Sequence, residues 1–251
     1  MTDIATGLMQ PTRSYLDTTE ELLHAAIEQA AAPLEVAGRI VADCFDRDGM
    51  LYVFGSGHSH VFAEEAFYRA GGAARVCPIL KPEHMLHEGA KRSTELERQT
   101  GLAAGLLEPY AIDPAADVLL VVSNSGANAL PVEVAETAKA RGITVIAITS
   151  VAYANASTSP GGRLHQVADV VLDNLCPPGD ALVVLDGDLP RVGPASSVVG
   201  LALLNALIVE ALARQTSRGH RPDIYLSAGM PGAREHNARM AERFGRRNPH
   251  I

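Results

Sequence analysis

The sequence predicts an α/β fold, a three-layer arrangement in which a parallel sheet lies between helices. Three observations predict it. Short β-branched runs alternate along the chain with helical segments, which implies parallel strands joined by crossover helices. The best of these runs, Leu51–Phe54 and Val118–Val122, are apolar throughout rather than on alternate residues, as strands covered on both faces are. Both stop abruptly at a small polar loop, and a helical segment follows each.

Residues 14 to 47 read as one or two helices, with Leu16, Leu22, Leu23, Ile27, Leu34, Val36 and Ile40 at loose helical intervals before the Asp46-Arg-Asp-Gly49 turn. They precede the sheet and are expected to clasp a partner. Leu51 begins a strand that ends in Gly55-Ser-Gly-His-Ser59, and Val61 to Ala70 reads as a helix. Ala74 to Ile79 looks like a short strand, Leu80 to Ser93 an irregular loop dense in His, Glu and Lys, and Thr94 to Pro109 a helix. Asp117 to Val122 is a strand ending in Ser123-Asn-Ser-Gly126, followed by a helix from Asn128 to Arg141. Thr144 to Thr149 and Val167 to Leu172 are further strands. Pro177-Pro-Gly-Asp180 breaks the chain, Leu182 to Leu185 reads as an edge strand, and Gly193-Pro-Ala-Ser-Ser197 opens a long apolar helix to about Ser217. Ile224 to Ala228 and a helix from Arg234 to about Phe244 complete the chain. One domain is expected over 1–251: a helical extension (1–47), an α/β core (48–217) and a C-terminal strand and helix (218–251).

With 251 residues, 47% of them apolar, there is enough material for a substantial core. A formal charge of −8 argues against a general nucleic-acid or anionic-membrane surface, both of which need clustered Lys and Arg. Arg246-Arg247 is read as solvated charge in a polar tail. No apolar run reaches the roughly 18 residues of a membrane span, and the polar start lacks a secretion signal, so a cytoplasmic protein is expected. Cys44, Cys77 and Cys176 are odd in number and form no Cys-x-x-Cys, which points to buried or idle thiols.

The two strand-to-helix junctions carry the functional signal. A helix start leaves backbone N–H groups unpaired and carries partial positive charge, so an anion placed there satisfies both. Glycine allows close backbone approach and serine adds hydroxyls. Neither loop has the lysine-bearing nucleotide pattern Gly-x-x-x-x-Gly-Lys-Ser/Thr, and the first lacks the third glycine of a dinucleotide fingerprint. A small phosphorylated metabolite is the expected ligand, and no cofactor is expected.

These two loops, in this order on one alternating sheet, resemble the sugar isomerase (SIS) domain over about residues 30 to 215. Phe54-Gly-Ser-Gly-His-Ser-His60 with Ala63-Glu-Glu65, Tyr68-Arg-Ala-Gly-Gly72, Leu86-His-Glu-Gly-Ala90 and Glu235-His-Asn237 is similar to an uncharacterised bacterial family of stand-alone SIS proteins. The resemblance implies a flavodoxin-like parallel sheet, homodimers or homotetramers with shared active sites, and a phosphosugar ligand. It assigns phosphate binding to Ser123, Ser125 and Gly126, with Asn124 in the same loop, and places Ser56 and Ser59 against the sugar beside Gly55, Gly57 and His58. Asn128 stands where the family often has Ser or Thr, and can still cap the following helix. Ser196 and Ser197 can cap the long helix or touch the ligand.

Aldose–ketose isomerisation needs a base to move a proton between adjacent carbons and a group that helps open the ring. Phe62-Ala-Glu-Glu65 resembles a block of the phosphoheptose isomerases whose second glutamate serves the site, which points to Glu65. The alternative is a surface pair of Glu65 with Arg69 at i,i+4. Val61 occupies the place of a metal-binding histidine in those enzymes, so no metal site is expected, although His58, His60, His84, His87 and Glu88 offer metal-type spacings. Glu88 resembles an acid–base glutamate of the N-acetylmuramic acid 6-phosphate etherases, which allows a lyase reading, or it is an exposed loop carboxylate. His236 is the candidate for ring opening, with Asn237 to orient it or bind a hydroxyl; otherwise it is a surface histidine near a chain end.

Overall fold

Aliphatic runs form five parallel strands in the computed structural model, which describes residues 7–251. They are β1 (Leu51–Gly55), β2 (Val76–Ile79), β3 (Val118–Val122), β4 (Thr144–Thr149) and β5 (Val170–Asp173), in the order β2-β1-β3-β4-β5. This is the flavodoxin-like order, with its topological switch point between β1 and β3. Alternate residues feed two cores. Leu51, Val53, Leu120, Ile146 and Ile148 face α1 (Gln10–Asp46), α2 (His60–Ala66) and α8 (Ser196–Ser217). Tyr52, Phe54, Leu119, Val121 and Ala147 face α4 (Ala103–Leu107), α5 (Ala129–Ala140), α7 (Leu164–Val167) and α9 (Ala233–Phe244). The remaining α-helices and strands are α3 (Ala90–Glu97), α6 (Val151–Ala156) and the hairpin of β6 (Ala181–Val183) with β7 (Val192–Pro194).

The N-terminal segment is one helix rather than two, with Pro33 inside it. Its main packing partner is α8 of the same chain, and Gly38 makes the close approach possible: a Cβ there would lie 2.3 Å from Glu210 Cγ. By length and composition α8 could cross a membrane. Its apolar residues Leu203, Leu204, Leu207, Ile208 and Ala211 are buried in the core that α1 covers, while Val198 and Val209 face outward.

The expected helix from Thr94 to Pro109 is interrupted. Gly101, at φ +84°, turns the chain, and the Glu133 carboxylate accepts hydrogen bonds from the backbone N–H groups of Gly101 (2.8 Å) and Leu102 (3.3 Å), starting α4 afresh. The expected strand from Val167 starts only at Val170, because Leu164–Val167 closes a helical turn first. Leu182 belongs not to the edge of the main sheet but to the separate β6–β7 hairpin, where Val183 pairs with Val192. Between Ile224 and Ala228 there is a single bridge, Ala73 to Ile224.

The C-terminal tail does not fray as solvated charge. Arg247 forms an ion pair with Asp117, whose side chain is fully buried, and Asn248 Nδ2 donates to the Val76 carbonyl at 3.1 Å. Arg75 bridges Asp223 (3.0 Å) and Asp48 (2.7 Å) and lies against the Phe244 ring, so α9 is locked to the N-terminal ends of the strands. Cys44, Cys77 and Cys176 are free and buried, and burial pushes each thiol up to about 12.

Candidate active site at the β1/β3 switch point

The carboxyl ends of β1 and β3 diverge into the two serine-bearing loops, leaving a crevice of the kind that holds ligands in open α/β sheets. After β1 the chain folds back so tightly that a Cβ on Gly55 would lie 2.1 Å from the Ser59 carbonyl oxygen. Gly57, at φ +57°, completes the turn into α2. After β3, Gly126 is left-handed at φ +56°, and a Cβ there would lie 2.4 Å from Thr149 Oγ1. Both close approaches demand glycine.

A cavity of about 290 Å³ opens at this crevice. His58 and Ser59 of the first loop and Phe62 of α2 line one side, Asn124 of the second loop and Asn174 after β5 another. Asp180, Ser196 and Ser197 close it at the start of α8. Asn174 Nδ2 donates to Asn124 Oδ1 at 3.0 Å and Asn174 Oδ1 accepts from the Cys176 N–H at 3.1 Å, so the loops after β3 and β5 are knitted together. No Lys or Arg lines the cavity among the described residues. An anion held here would rely on hydroxyls, amides and backbone N–H groups.

The predicted residues divide between lining and scaffold. His58, Ser59, Asn124 and Ser196 line the cavity, while Gly55, Ser56, Gly57, Ser123, Ser125 and Gly126 build the loops around it. Ser56 is 3% exposed and its hydroxyl has no partner, as is also true of the buried Thr149 hydroxyl behind the second loop. Ser123 Oγ accepts from the Gly126 N–H at 3.2 Å, bracing its own loop. Asn128 stands at the start of α5 without capping it through its side chain, and lines a separate hollow of about 230 Å³ with Glu133 and Pro160. Ser196 does not cap α8 either. Asp180 does: its Oδ1 accepts from the N–H groups of Ala195 (3.2 Å) and Ser196 (2.9 Å), and its Oδ2 accepts from Ser196 Oγ at 2.5 Å.

The candidate acids and bases lie apart from one another. Glu65 sits on α2 but does not line the cavity: its carboxylate pairs with Arg69 and accepts from Asn205 Nδ2 of α8 at 3.3 Å. Glu88 is half-exposed, 3.7 Å from His87 Nε2, and outside the cavity. His236 lines another hollow, of about 320 Å³, with Arg221, Arg239 and Arg243, and its Nε2 donates to the Ile224 carbonyl at 2.7 Å. Asn237 neither orients His236 nor reaches the cavity; it clamps Leu226 through both backbone groups, at 3.0 Å and 2.9 Å. Of the histidines with metal-type spacings, His60 and His87 meet edge-on with ring centroids 6.2 Å apart, His84 is buried with its Nδ1 unpartnered among the described residues, and no group of three or more metal-ligating residues converges among the described residues.

Sequence reasoning missed Asp180, Asn174 and Phe62. Pro177-Pro-Gly-Asp180 read as a chain break, yet the break delivers Asp180, at φ +62°, to the cavity.

Residues 14–150 match the SIS domain model. UPF0309 proteins of Brucella anthropi and Brucella canis are each 43% identical over 240 residues, covering 96% of this chain and 98% of the relative. In fold the chain is similar to phosphoheptose isomerase from Neisseria gonorrhoeae (TM-score 0.54, 17% identity, 80% of this chain and 97% of that one). It is similar as well to the sugar isomerase domain of an RpiR transcription factor from Sphaerobacter thermophilus (TM-score 0.50, 19% identity, 84% and 94%). The chain belongs to the SIS domain family, among its UPF0309 members.

Proposed function

We infer that this protein binds a phosphorylated sugar in the 290 Å³ cavity and interconverts its aldose and ketose forms. The observation that carries the binding reading is the pair of serine-bearing loops at the switch point, framing a cavity of sugar size lined by Ser59, Asn124 and Ser196. In this reading the phosphate rests on the Ser123–Gly126 loop and the sugar runs toward Ser59, Asn124 and Ser196. Glu65, released from Arg69 and Asn205, moves the proton between adjacent carbons, and His236 reaches the ring from a second subunit of a homodimer or homotetramer. The outward Val198 and Val209 of α8 supply apolar surface for that association.

A second reading, a sensor that binds a phosphosugar without turning it over, is favoured by the engagement of Glu65 with Arg69 and Asn205, away from the cavity lining. Incubation in D₂O with hexose, pentose, heptose and N-acetylamino-sugar phosphates, followed by proton NMR, separates the two. The isomerase incorporates deuterium next to the carbonyl and Glu65→Gln does not. Ligand-induced shifts without exchange across the panel would leave the sensor and remove the isomerase.

A further inference from the structure

Asp180 is the one Asp, Glu, Lys or Arg side chain on the cavity wall among the described residues. It is half-buried, and it is held by the α8 start rather than free to swing away: Ala195 N–H, Ser196 N–H and Ser196 Oγ all donate to it. These three donors and the Cys176 thiol beside them take up most of its acceptor positions, so what Asp180 offers a ligand is chiefly its charge. A non-glycine residue at φ +62° is uncommon, and here the left-handed turn is what brings the carboxylate back over the helix.

Two consequences follow for whatever occupies the cavity. The N-terminus of a 22-residue helix is an anion site, but at α8 a carboxylate already fills it. The phosphate is therefore directed to the β1 and β3 loops, and the opposite end of the ligand meets a carboxylate whose charge the α8 start offsets only in part, with no Lys or Arg on the wall among the described residues. That charge attracts an ammonium group, tolerates a hydroxyl and repels a second anion.

We propose that Asp180 sets the substrate class of this site: a sugar phosphate bearing a free, protonated amino group is selected over its hydroxyl counterpart, and one bearing a carboxylate is rejected. The inference rests on the phosphosugar reading above.

Calorimetric titration with glucosamine 6-phosphate, glucose 6-phosphate and gluconate 6-phosphate tests it. The wild type should bind the amino sugar about tenfold tighter than glucose 6-phosphate, and gluconate 6-phosphate at least about tenfold weaker again. Asp180→Asn keeps an oxygen for the two backbone donors, and in this variant the ratio of amino-sugar to glucose 6-phosphate affinity should fall to about onefold. The wild-type comparison stands by itself if the variant does not fold. Equal binding of all three ligands by the wild type would overturn the role of Asp180 and leave phosphosugar binding intact. Binding of none would overturn both.

Discussion

Asn205, on the long helix α8, donates a 3.3 Å hydrogen bond to the Glu65 carboxylate that Arg69 also holds from its own helix. Glu65 is thereby fixed from two sides and only 29% exposed, which is more organisation than a wet i,i+4 pair provides. These contacts hold Glu65 off the cavity, so if Glu65 is the base of an isomerase it acts on release from them. Asn205→Ala should then leave ligand affinity within about twofold and raise turnover about threefold. Comparing KM with kcat checks this; unchanged turnover would reduce the trio to a helix–helix contact.

Gly126 carries both a left-handed backbone and a contact with Thr149 that leaves no room for a Cβ. Gly126→Ala should cost about 2–4 kcal/mol, conformational strain plus overpacking. Gly161 is left-handed at φ +105° with nothing near its Cβ position, so Gly161→Ala should cost only about 1–2 kcal/mol, from strain alone. Urea unfolding of both variants isolates the clash as the difference.

Arg247 is the ionic partner of Asp117, a carboxylate that also accepts from the N–H groups of Met50 (2.8 Å) and Asp113 (2.7 Å). Those neutral donors remain in Arg247→Ala, and Arg247 itself is 30% exposed, so the loss should be about 2–3 kcal/mol rather than the larger cost of stranding a fully enclosed charge. Removing Arg246, which has no such partner among the described residues, should change stability by less than about 0.5 kcal/mol in the same denaturant series.

Burial holds His84 below its ordinary 6.5, and burial does the same to His250. The unfolded chain takes up protons near pH 6.5 while the folded chain resists them, so stability should fall as pH drops from about 7 to about 5. Asp46 and Asp48 are held below the usual carboxylate value; that stability is lost only on further acidification, below about pH 4. Asp48 owes its shift first to the hydrogen bond from Arg75. Replacing His84 with Gln should flatten the first limb and spare the second, as read by thermal midpoints across pH.

The sheet was legible because strands covered on both faces must be apolar throughout, and Leu51–Gly55 and Val118–Val122 are. The two loops were legible because their glycines and serines break those runs. What was not legible depends on contacts distant in sequence. Glu133 restarts a helix at Gly101, Arg247 reaches back 130 positions to Asp117, and Asp180 caps a helix that begins sixteen residues later. None of these pairs leaves a local pattern, because the partner is supplied by another segment. Asn237 was misread for the same reason: a polar residue beside His236 looks like a site residue until Leu226 is found in its grip.

The most direct measurement is a calorimetric titration of the wild-type protein with a panel of sugar phosphates and their unphosphorylated parents, repeated with Ser59→Tyr to fill the cavity. Binding of a sugar phosphate at least about a hundredfold tighter than its parent, abolished in a folded Ser59→Tyr, is the predicted result. Equal affinity for phosphorylated and unphosphorylated sugars, or binding that survives the filled cavity, would contradict a phosphosugar site at the β1/β3 switch point.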